Sequence, residues 1–166
     1  MPHYNVLFLC TGNSARSILA EAILNHKGGA SFTAYSAGSH PAGAVRAEAL
    51  RQLDLTGISA KGLRSKSWDE FAAPGAPPMN FVFTLCDKAA AETCPLWPGQ
   101  PVTAHWGLAD PAAATGTRDE TERSFREAYT TLDRRISLLL ALPLESLDAL
   151  TLQREIRAIG TSTAAA

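Results

Sequence analysis

The sequence lacks a long apolar run, an excess of one charge and enough cysteine for a disulfide framework. A net charge of −1 over 166 residues gives no general footprint for nucleic acid or an anionic membrane, so any anion site must be local. The apolar stretch at residues 6–9 is far too short for a signal-peptide core or a membrane span. We therefore expect a cytoplasmic protein that binds neither nucleic acid nor membrane. The three cysteines cannot pair completely, which favours catalytic, redox or buried roles.

Strand-like and helix-like segments alternate along a chain of single-domain length. Apolar, β-rich segments predict strands at residues 4–10, 32–37, 81–85 and 102–106. Helical spacing predicts helices after Arg16, at residues 44–53 and 68–71, from residue 118 onward and at residues 144–159. This alternation predicts one α/β domain over residues 1–143, with a parallel sheet flanked by helices. Residues 144–166 are predicted to form a C-terminal helical extension with a frayed tail.

The first strand runs into a tight loop that opens a helix. The loop reads Cys10, Thr11, Gly12, Asn13, Ser14, Ala15, Arg16 and Ser17. Successive amides in such a loop form an anion nest, to which the helix dipole adds. Arg16 can donate two hydrogen bonds to one tetrahedral anion, and its charge is expected to lower the pKa of the Cys10 thiol. The pattern predicts an oxyanion site at residues 11–17 with Cys10 as the nucleophile, whereas each residue alone could be a buried thiol or a surface charge.

These residues resemble a known family. The Cys-x5-Arg-Ser motif, with residues 35–38 closing the second strand, is similar to the low-molecular-weight protein tyrosine phosphatases and their thioredoxin-coupled arsenate reductase relatives. The resemblance spans roughly residues 4–140, and residues 82–86 and 105–112 resemble the arsenate reductases in particular. It implies a four-stranded sheet of order 2-1-3-4. It also implies that Asp110, placed before Pro111, protonates the leaving group.

The resemblance to arsenate reductases implies a relay of thiols. Reducing arsenate to arsenite takes two electrons, which a pair of thiols can supply by forming a disulfide. With the third strand beside the first, Cys86 would emerge on the same edge as Cys10. We expect Cys10 to attack arsenate, Cys86 to attack the Cys10 adduct, and Cys94 to attack the resulting disulfide. An external thiol reductant, a thioredoxin or glutaredoxin system, would then reduce Cys86 and Cys94.

The resemblance also implies a potassium ion behind the loop. Its ligands would be Asn13, Glu21, Ser36 and Asp69, and no tightly bound cofactor is expected beyond this ion.

Two other functions fit the same residues. A phosphatase acting on phosphomonoesters or phosphotyrosine needs only Cys10, Arg16 and Asp110. A non-catalytic module that binds oxyanions or senses redox state needs only the loop and the thiols. Cysteines are often merely buried, so Cys86 and Cys94 could also be passive.

Overall fold

The computed structural model describes residues 2–92, 95–113 and 116–161, and its centre is a four-stranded parallel sheet. The strands are β1 (Tyr4–Cys10), β2 (Phe32–Gly38), β3 (Phe81–Thr84) and β4 (Val102–His105). They lie in the order β2-β1-β3-β4, and each neighbouring pair is parallel. The predicted α/β class and strand order are confirmed.

Five α-helices connect or follow the strands in the described residues. They are α1 (Arg16–Lys27), α2 (Ala47–Leu55), α3 (Asp87–Ala91), α4 (Arg118–Ala141) and α5 (Ala149–Thr161). Short 3₁₀ turns lie at Gly29–Ser31, Trp68–Phe71 and Pro111–Ala113. No helix within these ranges is both long and apolar enough to cross a bilayer.

Two helices begin later than predicted. Helix α2 starts at residue 47 rather than 44, because Arg46 keeps an extended backbone with ψ of 137°. Helix α5 starts at residue 149 rather than 144, because Asp148 precedes it as a cap and its carboxylate accepts the Thr151 amide at 2.8 Å. Helix α3 was not predicted, since five residues are too few to show a helical period.

The two faces of the sheet carry different cores. Phe8 and Phe83 face the main core, to which α1, α2, α4 and α5 all contribute buried residues. Trp106 is fully buried there and stacks on Phe83 with ring centroids 3.8 Å apart. Leu9 points to the opposite face, which the 3₁₀ turn at Trp68–Phe71 covers. Burying each of these large side chains contributes about 1.5–3 kcal/mol, so the sheet is a rigid base for the loops at its ends.

The carboxyl ends of three adjacent strands place the chemically interesting residues together. Strand β1 ends at Cys10, β3 at Thr84 and β4 at His105. Leu9 pairs with Thr84 in the β1–β3 register, so the chain after β3 emerges beside Cys10. This edge holds the candidate site.

Candidate active site

The loop between β1 and α1 turns its carbonyls outward. Its carbonyl oxygens accept hydrogen bonds of 2.9–3.0 Å from the neighbouring segment, in the pairs His40 to Thr11, Ala42 to Gly12 and Arg46 to Ser14. The N–H of each trans peptide points away from its C=O, so the amides of Gly12, Asn13 and Ala15 point into the loop. Helix α1 has no side-chain cap at Ala15, which leaves its first amides without a side-chain partner. Such a cradle of amides suits an anion.

Asn13 and Gly38 hold the loop in this shape. Asn13 is fully buried in a left-handed conformation, with φ of 46°, and its amide nitrogen donates to Ser17 at 2.8 Å and Ser36 at 3.0 Å. A Cβ on Gly38 would lie 2.4 Å from the Thr11 carbonyl oxygen. Only glycine lets the end of β2 approach the loop this closely.

Within the described residues, Arg16 has a free donor with which it can bind an anion. Its side chain is 12 % exposed, and Nη1 donates to the Leu108 carbonyl at 3.0 Å. Its buried Nε–H has no acceptor within the described part of the chain. Buried donors are normally paired, so an oxyanion in the loop would supply the missing acceptor.

Asp110 faces Arg16 from the loop that follows β4. Its Oδ2 lies 3.7 Å from Arg16 Nη2, and its Oδ1 accepts the Ala112 amide at 2.9 Å. The side chain is 42 % exposed, so solvent reaches its carboxylate. Asp110 thus lies against Arg16, whose charge in turn acts on Cys10.

Cys86 lies beside Cys10, and both thiols are buried. It caps α3, and its sulfur accepts the Ala89 amide at 3.4 Å. The Thr11 hydroxyl lies at the same distance from that sulfur, 3.4 Å. Cys94, the third predicted thiol, lies outside the described residues.

Cys10 and Cys86 share a hydrogen bond that moves their pKa values apart. Together with the Thr11 and Ala89 contacts, it lowers the pKa of Cys86 to about 5. The same bond and burial raise the pKa of Cys10, although the Arg16 charge lowers it. Arg16 thus acts on the pKa of Cys10 in the predicted direction, but in this arrangement the hydrogen bond to Cys86 and burial outweigh it. One proton moved from Cys10 to Cys86 would produce the Cys10 thiolate.

Three of the four predicted potassium ligands meet beneath the loop, and a lysine lies among them. Ser36 donates to Glu21 and accepts from the Asn13 amide nitrogen. Lys66 Nζ lies 3.4 Å from Ser36 Oγ and 3.6 Å from Glu21 Oε1. No hydrogen bond or ion pair of the described residues joins the Asp69 side chain to this group. Because an ammonium already neutralises Glu21, and Asn13 presents its nitrogen rather than its oxygen, these residues do not fit a potassium ion.

Lys66 and Glu21 form a buried ion pair that sequence reasoning missed. Their side chains are 7 % and 13 % exposed. Burial raises the pKa of Glu21 while Ser36 and Lys66 oppose this, and burial lowers the pKa of Lys66. The only signal in the sequence was a lysine within the polar connection before the Trp68–Phe71 turn, which reads as an ordinary surface residue.

Arg135 is a second buried cation that was missed. It extends from α4, and its Nη1 donates to the carbonyls of Trp106 at 2.7 Å and Gly107 at 3.1 Å. These carbonyls begin the loop that carries Asp110, so Arg135 fixes the path of that loop. Its position on the buried stripe of α4 was the available signal, beside Leu132, Ile136 and Leu139.

Comparison with known proteins finds arsenate reductases of similar sequence and fold. The sequence is 36 % identical over 131 residues to an arsenate reductase of Halalkalibacterium halodurans, covering 79 % of this chain and 91 % of that protein. It is 34 % identical over 131 residues to an arsenate reductase of Bacillus subtilis, with the same two coverages of 79 % and 91 %. The fold matches a thioredoxin-dependent arsenate reductase of Corynebacterium glutamicum with a TM-score of 0.62 and 27 % identity, covering 83 % of this chain and 60 % of that one.

The family match covers nearly the whole chain. Residues 5–155 match the family described as low molecular weight phosphotyrosine protein phosphatase. This range contains the Cys10 loop, Cys86 and Asp110. The chain belongs to the low molecular weight phosphotyrosine protein phosphatase family.

Proposed function

We propose that the protein reduces arsenate to arsenite, with Cys10, Cys86 and Cys94 as a thiol relay and the oxyanion held by residues 11–17. The observation that carries this proposal is that Cys86 packs beside Cys10 in one buried cluster. A phosphatase needs one thiol, whereas reduction of arsenate needs two electrons from a thiol pair. The arsenate reductases of H. halodurans and B. subtilis support the same activity.

In the first step Cys10 attacks arsenic. Its proton passes to Cys86 through their hydrogen bond, and the thiolate forms an As–S bond. As one As–O bond breaks, the departing hydroxyl takes the proton of Asp110 and leaves as water. The loop amides and Arg16 hold the remaining oxygens, where negative charge accumulates.

The next steps move electrons from sulfur to arsenic. After losing its proton again, Cys86 attacks the Cys10 sulfur. An S–S bond forms, the As–S bond breaks, and its electron pair reduces As(V) to As(III), which leaves as arsenite. Cys94 then attacks Cys86 and releases Cys10 as a thiolate. The two oxidised sulfurs end as a Cys86–Cys94 disulfide.

An external dithiol closes the cycle. A thioredoxin or glutaredoxin system would pass two electrons and two protons to the Cys86–Cys94 disulfide, and the thioredoxin-dependent reductase of C. glutamicum supports the former. The relay needs no tightly bound cofactor. It needs free thiols, which the reducing cytoplasm maintains, so we place the protein there.

Arsenite production with matched reductant consumption tests the proposal. The purified protein is given arsenate, thioredoxin, thioredoxin reductase and NADPH. We expect Cys10→Ser and Cys86→Ser to abolish arsenite formation. A wild-type protein that binds arsenate but consumes no reductant with thioredoxin or glutaredoxin would overturn the proposal.

Cys86→Ser also separates reduction from phosphate ester hydrolysis. Hydrolysis would need only Cys10, Arg16 and Asp110, and the contact of Asp110 with Arg16 at 3.7 Å supports this set. The variant should therefore lose arsenite production and keep hydrolysis of an aryl phosphate. Hydrolysis without any arsenite production in the wild type would assign the protein as a phosphatase. Anion binding with neither activity would assign a non-catalytic oxyanion-binding module.

A further inference from the structure

His105 joins three elements at the edge of the candidate site. It ends β4 and pairs in register with Thr84, the last residue of β3. Its Nδ1 lies 2.8 Å from Thr84 Oγ1, and its Nε2 lies 2.8 Å from Oδ1 of Asp87, the first residue of α3. An ionised Asp87 carboxylate only accepts, so we assign the proton to Nε2, and Nδ1 then accepts from the Thr84 hydroxyl. One ring thus satisfies both contacts.

Gly107, two residues after His105, leaves room for the imidazole ring. A Cβ on Gly107 would lie 2.5 Å from His105 Nε2 and 3.0 Å from its Cε1. Any other residue at position 107 would push the imidazole away from Asp87. The glycine therefore has a specific steric role: it lets the ring lie back against the backbone and reach α3.

Helix α3 needs anchors of this kind. It has five residues, and a helix this short has little stability of its own. Its N-cap is the Cys86 sulfur, which accepts the Ala89 amide, and the Ala89 side chain is fully buried. The Asp87 side chain is 98 % exposed, so burial does not hold it, and within the described residues His105 contacts it at 2.8 Å.

We propose that His105 is the positioning residue of the relay helix. Its hydrogen bond to Asp87 holds α3, and with it Cys86, beside Cys10, and this bond opens when Cys86 turns to Cys94. The inference rests on the proposed function, because only a relay requires Cys86 to change partners. A Cys86 sulfur that turns towards Cys94 gives up its contacts with Thr11 and the Ala89 amide, and α3 then loses its cap.

The His105–Asp87 hydrogen bond, called the tether below, favours the reduced thiols of Cys86 and Cys94 over their disulfide. A charge-assisted hydrogen bond at an exposed site shifts an equilibrium by about five-fold. Replacing His105 with alanine should therefore favour the Cys86–Cys94 disulfide about five-fold, which lowers its reduction potential by about 20 mV. The amides of α3 should exchange with solvent about five-fold faster in the reduced protein.

Two measurements on the full chain test the tether. Hydrogen exchange follows residues 87–91 in the reduced protein. A redox titration with glutathione follows the disulfide in a Cys10→Ser background, where two thiols give two electrons and two protons to glutathione disulfide and yield two glutathiones. His105→Gln should behave nearly as wild type, because its amide can donate to Asp87 and accept from Thr84. His26→Ala, at an exposed histidine, is the matched control.

A double-mutant cycle isolates the contact. In an Asp87→Ala background the further change of His105 to alanine should have no effect on exchange or on the redox equilibrium. Thr84→Val removes the donor to Nδ1 and gives a second, milder perturbation should His105→Ala fold poorly.

The outcomes separate this inference from the proposed function. Exchange and redox equilibrium that match the His26→Ala control in both His105→Ala and Thr84→Val would overturn the tether. A wild-type protein that forms no Cys86–Cys94 disulfide would overturn the relay itself, even with faster exchange in His105→Ala. Faster exchange together with a five-fold shift towards disulfide supports both.

Discussion

Replacing Lys66 with methionine would leave a buried carboxylate without its counter-charge. The Lys66 ammonium lies 3.6 Å from Glu21 Oε1, and both side chains are nearly inaccessible to water. At an effective dielectric constant of about 20, the attraction at this distance is about 5 kcal/mol. Removing one member of a buried pair typically costs about 3–5 kcal/mol, so we expect the free energy of unfolding to fall by about 3 kcal/mol near neutral pH.

The loss of stability in Lys66→Met should depend on pH in a defined direction. Burial holds the pKa of Glu21 above its usual value even with Lys66 present, and Lys66 lowers it, so the variant raises it further. The folded variant then binds this proton more tightly than the unfolded chain, and its stability falls as pH rises above the ordinary carboxyl pKa. The difference in the free energy of unfolding between wild type and Lys66→Met, the stability deficit, should be largest at about pH 8 and smaller at about pH 5.

Urea unfolding of matched variants measures this deficit. Lys61→Met, at an exposed lysine, controls for loss of a positive charge. The double variant Lys66→Met with Glu21→Gln should recover most of the stability, because no buried charge remains. A Lys66→Met protein as stable as the Lys61→Met control, or a deficit that does not narrow at low pH, would refute the reasoning.

The wild type and a further variant at Lys66 test whether the protein binds potassium. Wild-type stability should be equal in potassium and sodium chloride at equal concentration, because an ammonium already neutralises Glu21. Lys66→Ala removes that ammonium and leaves space between Glu21 and Ser36, so potassium should restore part of its stability. A potassium-specific stabilisation of the wild type would instead support the ion implied by the family resemblance.

Three further predictions follow from the site. Asp110→Asn should slow hydrolysis of a poor leaving group about 10²–10³-fold and of an activated aryl phosphate much less, and equal losses for both esters would remove Asp110 as the acid. The pKa of Cys86 is lowered to about 5, so its rate of alkylation, measured by mass spectrometry, should stay high at about pH 6 and decline as the pH falls through 5. The alkylation of an ordinary thiol already declines as the pH falls below about 8.5. Arg135→Met leaves the carbonyls of Trp106 and Gly107 without a donor and should lower the free energy of unfolding by about 2 kcal/mol, whereas Arg135→Lys should recover part of it.

The sheet and the anion loop could be predicted because their determinants are local. Apolar β-rich runs mark the strands, and Cys10 and Arg16 are separated by a loop too short to adopt many shapes. The loop's position at a strand end and a helix start then follows from the chain order. Asp110 could be placed because Pro111 and the family resemblance mark it.

The supporting contacts could not be predicted, because they depend on how distant segments meet. Lys66 reaches Glu21 because Gly38 pairs with Ser67 in an isolated parallel bridge, which brings the polar connection alongside the end of β2. The direction of the His105 ring depends on space at Gly107, which no periodicity encodes. Buried polar pairs of this kind depart from the rule that polar residues are exposed, so hydrophobic periodicity does not predict them.

The proton shared by Cys10 and Cys86 explains why Cys86→Ser is a clean test of the relay. In the wild type the Cys86 hydrogen bond and charge both raise the pKa of Cys10, and Arg16 alone among the charged side chains near Cys10 lowers it. Serine does not hold the negative charge, so the substitution removes what raises the Cys10 pKa and leaves the Arg16 charge and the Gly12 amide in place. Cys10 should then carry the charge itself. The variant loses the second electron-donating thiol while its nucleophile keeps thiolate character, so if reduction is the function arsenite production should be lost and ester hydrolysis kept.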